Sequence, residues 1–254
     1  MRKVVLCGMC ATIFFLLTPG VQAYTIDLTA GRGTSVAYDG AVFIEFTEAM
    51  QTTVSSGTGV IDPFLTIQKR GTEEGFNSDA IPLVLDTTRP SWNHSIQISD
   101  LTLSPIPGYS SYYEFLLDIN EPAATSLITQ HELEVYVVPN SAGGDIDDYS
   151  TLGSSGDLIW DLDRLEDSRI EYDYNLWSGS GQNIDSAFLI DMSLFSGYSP
   201  SDYVYLYAEF GRSADGFEEY ALREGGAPVP EPATMLLLGI KMIGLAGLRR
   251  RARK

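Results

Sequence analysis

The side chains able to do chemistry in this chain are almost all carboxylates. Of its 254 residues, 34 are Asp or Glu and 16 are Lys or Arg, with only two His and two Cys. Glycoside hydrolysis needs two carboxyls, about 5 Å or about 6.5–9.5 Å apart, across the scissile bond. Asp161 with Asp163 and Glu171 with Asp173 offer such pairs, because residues two apart on a strand share a face at roughly 6.5–7 Å. A chain this acidic makes such pairs by composition alone. Glu171 and Asp173 also alternate with Ile170, Tyr172, Tyr174 and Leu176, the pattern of a solvated strand face. No catalytic residue is assigned from them.

His94 falls in a Trp92-Asn93-His94-Ser95 turn, and His131 stands just ahead of a strand. A Ser–His–Asp site needs the three in contact, and no strand–turn–helix setting for a nucleophile elbow surrounds any serine. Calcium, which takes six to eight oxygens, is the ion the residues suit best. Gly144-Asp145-Ile146-Asp147-Asp148 and Asp157-Leu158-Ile159-Trp160-Asp161 bracket a Gly/Ser loop that could supply oxygens. The EF-hand pattern fails there, since Tyr149 occupies the third ligand position and Ser150 stands where glycine is needed. A solvated acidic loop is the plainer reading, and no metal or cofactor is assigned. For stacking on sugar rings the candidates are Trp92, Trp160, Trp177 and the Tyr112-Tyr113 pair. Tyr203, Tyr205 and Tyr207 share a strand face opposite Val204, Leu206 and Ala208. With both faces apolar, that strand reads as interior.

The elements that must position these residues read as strands. Period-two alternation recurs in Tyr113, Phe115, Leu117 and Ile119 and in Leu133, Val135 and Val137. Residues 96–103 switch phase at Ser99-Asp100, which implies a bulge or bend. Tyr24–Thr29, Ala41–Phe46, Phe64–Gln68, Ala187–Asp191, Asp202–Phe210 and Phe217–Leu222 are further strands, separated by Gly, Pro, Ser and Asn. No repeat and no sustained helical period is present. The expectation is an all-β domain over residues 24–222, an antiparallel β-sandwich or jelly roll.

The ends differ in kind. Met1-Arg2-Lys3 and the 14 apolar residues Val4–Leu17 precede the helix break at Thr18-Pro19-Gly20. Val21-Gln22-Ala23 then offers small residues for signal peptidase to cut between Ala23 and Tyr24, so residues 1–23 read as a secretory signal. Cys7 and Cys10 leave with it, and the mature protein meets an oxidising compartment without disulfides. Two His and no mature Cys leave too few ligands for zinc. Residues 223–228, Arg-Glu-Gly-Gly-Ala-Pro, read as a linker. The 16-residue run Ala233–Leu248 is short for a membrane helix and carries Lys241 at its middle, ahead of the basic cluster at Arg249–Lys254. Between the ends only eight basic residues face 33 acidic ones. This balance argues against nucleic acid and anionic lipid as partners of the body.

Pro230-Glu231-Pro232, then Ala233-Thr234-Met235-Leu236-Leu237-Leu238-Gly239, the Gly-containing helix and the terminal arginines resemble the PEP-CTERM sorting signal of exported bacterial proteins, here over residues 229–254. Lys241 departs from that signal's usual all-apolar helix. The resemblance implies processing by an exosortase, a membrane-embedded cysteine transpeptidase, near the Pro-Glu-Pro triplet, with a transient membrane precursor. The body is similar to uncharacterised exported proteins with the same tag, through residues 158–163, Ser178-Gly179-Ser180-Gly181, Tyr203–Tyr207 and Asp215–Ala221, with Tyr220 where Trp is usual. That likeness carries no activity. The expected function is a non-enzymatic cell-surface or extracellular-matrix protein. Association with exopolysaccharide follows only from the kind of cell that uses the tag. A carbohydrate-binding module, calcium-assisted or not, is the second reading and a glycoside-active enzyme the third.

Overall fold

A computed structural model describes residues 23–54, 61–177 and 183–223. The strands are β1 (Tyr24–Asp27), β2 (Ser35–Tyr38), β3 (Ala41–Glu45), β4 (Pro63–Ile67), β5 (Arg70–Phe76), β6 (Ile96–Gln97), β7 (Tyr112–Asn120), β8 (Leu127–Val138), β9 (Asp157–Asp161), β10 (Ser168–Asp173), β11 (Ser186–Asp191), β12 (Tyr203–Ala214) and β13 (Phe217–Leu222). Two short helices join them, α1 (Glu48–Gln51) and α2 (Tyr149–Ser155).

The strands form two sheets. The first runs β1-β10-β8-β12-β5, with β9 beside the second half of β8 and β6 beside the start of β12. The second runs β2-β3-β11-β7-β13-β4. Among the described pairings only β1 with β10 is parallel. The protein is thus all-β, with its two sheets packed face to face. Ile170, Val135, Val137, Val204 and Leu206 of the first sheet meet Phe43, Phe115, Leu117 and Phe188 of the second. Trp160 is buried at the centre. It lies against Phe43 and Phe188, and its Nε1–H donates to the Asp39 carbonyl at 3.0 Å. Each such large apolar side chain contributes about 1.5–3 kcal/mol by leaving water.

The outer faces are covered too, which is why several strands are apolar on both sides. Phe76, Tyr136, Val138, Tyr205 and Tyr207 on the first sheet lie under Leu152 of α2, Ile146 and Val84. Val42, Ile44, Leu116 and Leu189 on the second lie under Val54, Trp177 and Ile184. The interior reading of Tyr205 and Tyr207 follows from this second layer.

Three local differences from the sequence reading have physical causes. The strand expected to run on to Leu176 stops at Asp173, whose Oδ1 accepts the Asn175 N–H at 3.0 Å and caps a 3-10 turn over Tyr174–Leu176. The Gly/Ser stretch after Asp148 is helix α2 rather than loop. Asp148 caps it through the Ser150 N–H at 2.8 Å, and Leu152 docks in the core. His131 lies within β8 as a bulge, where the register with β12 slips between Glu209 and Phe210. The bulge reverses the side-chain phase, so Ile128 and Gln130 before it and Leu133 and Val135 after it all point inward. Gln130 is thereby placed to accept from both Tyr172 and Tyr220 at 3.0 Å. The phase switch expected near Ser99-Asp100 is present, as β6 giving way to a 3-10 turn at Ile98–Asp100.

One buried polar side chain stands in for a missing strand. Beyond Phe76, Asn77 continues beside β12, where its Nδ2–H donates to the Val204 carbonyl at 3.0 Å and its Oδ1 accepts the Leu206 N–H at 2.7 Å. Asn77→Ala orphans both groups. It should lower stability by about 2–4 kcal/mol, a drop in thermal midpoint of roughly 4–16 °C for a domain of this size. Thermal melting of the exported protein measures it.

Candidate functional site

Pro230, Glu231 and Pro232, with the linker beyond Arg223 and the tail helix, lie outside the described residues. Among the described residues no helix is long and apolar enough to cross a membrane. Ala23 is exposed, and Tyr24 opens β1, its N–H donating to the Asp167 carbonyl at 2.9 Å and its ring stacked on Tyr38 at 5.1 Å. The bond expected to be cut thus sits where the ordered strand begins. At the other end Arg223, the first residue of the expected linker, is held in the body. Its guanidinium meets Glu114 at 2.5 and 3.3 Å, and its Nη1 donates to the Thr53 carbonyl at 2.9 Å. Arg223 also lines a cleft of about 400 Å³ with Asp62, Phe64, His94, Ser95, Ile96, Asp100 and Leu222.

Of the two acid pairs read from sequence, only Glu171 with Asp173 shares a strand face. Asp161 ends β9 while Asp163 lies in the following turn, so they share no strand face. Instead Asp161 Oδ1 accepts the Asp163 N–H at 2.8 Å, and Asp163 Oδ1 accepts the Ser168 N–H at 2.8 Å. Glu171 and Asp173 do share β10, but Glu171 pairs with Arg169 at 3.3 Å and Asp173 caps its turn. Of the two acidic stretches considered for calcium, Asp148 caps α2 and Asp157 accepts from the Tyr198 hydroxyl at 3.1 Å.

Asp161 joins a different set. On paired strands β8 and β9, carboxylate oxygens of Glu132, Glu134 and Asp161 all lie within 4.8 Å of one another. Glu134 Oε2 accepts from the Tyr136 hydroxyl at 2.8 Å and the Tyr149 hydroxyl at 2.6 Å, and Tyr149 packs on Tyr207 at 4.4 Å. Burial pushes the Glu132 carboxyl up to about 7, aided by like charge on Asp163, Glu134, Asp161 and Glu209. Burial raises Glu134 as well, against its two tyrosine hydrogen bonds. All three carboxylates are half-buried, and the set has the oxygen chemistry of a hard-cation site. Glu132 and Glu134 carry the same two-residue spacing as Glu171 and Asp173. Only the pairing of β8 with β9 singles them out.

The aromatic candidates are largely enclosed. Trp160 and Trp177 are buried, and Arg32 lies over the Trp177 ring at 3.8 Å. Trp92 is half-buried beneath Arg89, 4.3 Å from its ring. Tyr112 packs edge-on against Tyr109 and Tyr113 against Phe195. These rings form no open platform for a sugar. His94 is half-buried with Nδ1 3.1 Å from the Ser95 carbonyl, and His131 is exposed over Gly211.

Residues 228–254 match the PEP-CTERM protein-sorting motif. The chain thus carries a PEP-CTERM sorting motif at residues 228–254, and that motif implies export, sorting to the cell envelope and an exosortase as processing partner. No curated protein and no solved structure matches the chain.

Proposed function

We propose that the chain is a non-enzymatic surface or matrix protein, a disulfide-free acidic β-sandwich delivered through its amino-terminal signal and released from a transient membrane precursor near Pro230-Glu231-Pro232. The observation that carries this reading is the sorting motif at residues 228–254. The acidic body supports display among hydrated anionic polymers, where like charge keeps it soluble. Exopolysaccharide is the proposed setting.

Intact mass of the protein from cells with and without the exosortase tests the processing. Residues after Pro232 should be missing from the first sample and present in the second. Replacing Pro230-Glu231-Pro232 with alanines should leave full-length, membrane-bound protein in both. Residues after Pro232 retained in both samples of the unaltered protein would establish a permanent anchor instead.

A further inference from the structure

A cleft of about 400 Å³ opens between β6 of the first sheet and β4 and β13 of the second. Asp62 stands just ahead of β4, His94 just ahead of β6, Asp100 in the 3-10 turn that follows β6, and Arg223 directly after β13. Phe64, Ile96 and Leu222 give the cleft an apolar wall. Its polar groups are largely unspent. Asp62 and Asp100 are exposed, and no ion pair among the described residues involves either of them or His94. Asp100 Oδ2 accepts the Gln97 N–H at 2.8 Å, which leaves Oδ1 for a ligand. The His94 Nδ1 lies 3.1 Å from the Ser95 carbonyl, and a carbonyl only accepts, so Nδ1 carries the proton and Nε2 is an acceptor. Arg223 is 8% exposed; Glu114 and Thr53 engage four of its five N–H groups and leave one donor.

A volume of this size is that of a small-molecule site, where an apolar surface carries a few convergent polar groups. Three acceptors outnumber one donor, so a ligand that fills the cleft brings mostly donors of its own. The two carboxylates also lack a counter-charge, because the Arg223 guanidinium is committed to the buried Glu114. That favours a cation. A bare metal ion does not suit the spacing: Asp62, His94 and Asp100 do not gather ligand atoms within 4.8 Å of one another, as Glu132, Glu134 and Asp161 do. Separated acceptors call for separated donors on one frame. A sugar ring supplies them as hydroxyls around an apolar C–H face, and an amine supplies the charge. We propose that this cleft binds an amino sugar, its ammonium drawn to Asp62 and Asp100, its hydroxyls served by His94 and Arg223, and its apolar face laid on Ile96 and Leu222. The chain's own linker suits the cleft poorly, since the next side chain along it, Glu224, repeats the charge of the two aspartates. The cleft belongs to the body alone, so this binding is independent of how the tail is processed.

The test titrates the exported protein, purified from its cells, at pH 6.5 with the β-1,4-linked glucosamine disaccharide and, separately, with its fully N-acetylated form. Calorimetry should show the amine form bound roughly tenfold more tightly, with an affinity that falls as salt is raised. Asp62→Asn and Asp100→Asn should each weaken that binding roughly fivefold and leave the thermal midpoint unchanged. Asp100→Asn keeps an oxygen for the Gln97 N–H, so it removes charge without removing the contact. Asp147→Asn, on the exposed stretch ahead of α2, removes the same charge elsewhere and should leave binding intact. No binding of the amine form, or equal binding of both forms, overturns the proposal. Binding that survives both cleft substitutions also overturns it and makes the attraction one to the acidic body at large. A Gly-Lys-Gly peptide bound as tightly as the disaccharide refutes the sugar and assigns the cleft to lysine side chains.

Discussion

Arg223→Met should lower the stability of the body by about 3–5 kcal/mol, because it leaves Glu114 buried without its counter-charge. Glu114 is 0% exposed on β7, in the middle of the second sheet, and Arg223 follows directly on β13. The two-pronged contact also ties in Thr53 through the Arg223 Nη1, and the Ser104 hydroxyl reaches Glu114 Oε1 at 3.4 Å. Replacing both partners, as in Glu114→Leu with Arg223→Met, removes the orphaned charge and should restore much of the loss. Urea unfolding of the exported single and double variants checks this. A single variant within about 1 kcal/mol of the unaltered protein would show the pair to be no more than a surface bridge.

The body should be most stable at mildly acidic pH, in contrast to most proteins, and should weaken steadily towards pH 8. Burial pushes Glu45 up to about 8, with like charge from Asp173 adding to it and Arg32 opposing. Burial also raises Asp185 well above the carboxylate range, with Asp118 and Glu45 adding like charge. One oxygen of each is buried without a partner, Glu45 Oε1 and Asp185 Oδ1. A carboxyl whose folded pKa is raised is held protonated by the fold and gives up its proton on unfolding. Its contribution is complete below about pH 4.5 and is lost as pH rises through the folded value. Each such group costs about 1.4 kcal/mol per pH unit across that window. The groups lowered by the fold, Asp27 and Asp148, act below pH 4 and leave the window untouched. Thermal midpoints measured in chelator from pH 5 to pH 8 should fall, and Glu45→Gln should flatten the fall. A midpoint rising with pH would contradict the assignment.

Much of the architecture is legible along the chain because strand periodicity is a local property. Tyr113 to Ile119, Leu133 to Val137 and the two apolar faces of β12 each declare a strand, and two of them declare which side is buried. Where the reading fails, a side-chain-to-backbone hydrogen bond overrides the alternation. Asp173 turns the chain before Leu176 can continue β10, and Asp148 starts a helix in a stretch of Gly and Ser. Strands β2 and β5 escape a reading by periodicity for different reasons: β2 is only four residues long, with just Val36 and Tyr38 turned to the core, and β5 begins with Arg70-Gly71-Thr72, all on the surface.

By itself the sequence determined the chain's route, since a sorting tail is read as a linear order of triplet, apolar run and basic end, with no folding required. It determined the all-β class for the same reason, one residue's alternation with the next. The tertiary structure alone decided which of the 33 acids in the body matter. Carboxylates in sequence are interchangeable points of charge. Burial and strand pairing make some into surface caps, three into a cluster on β8 and β9, and Glu73, Glu121 and Glu218 into an enclosed corner, because desolvation depends on neighbours that come from distant parts of the chain.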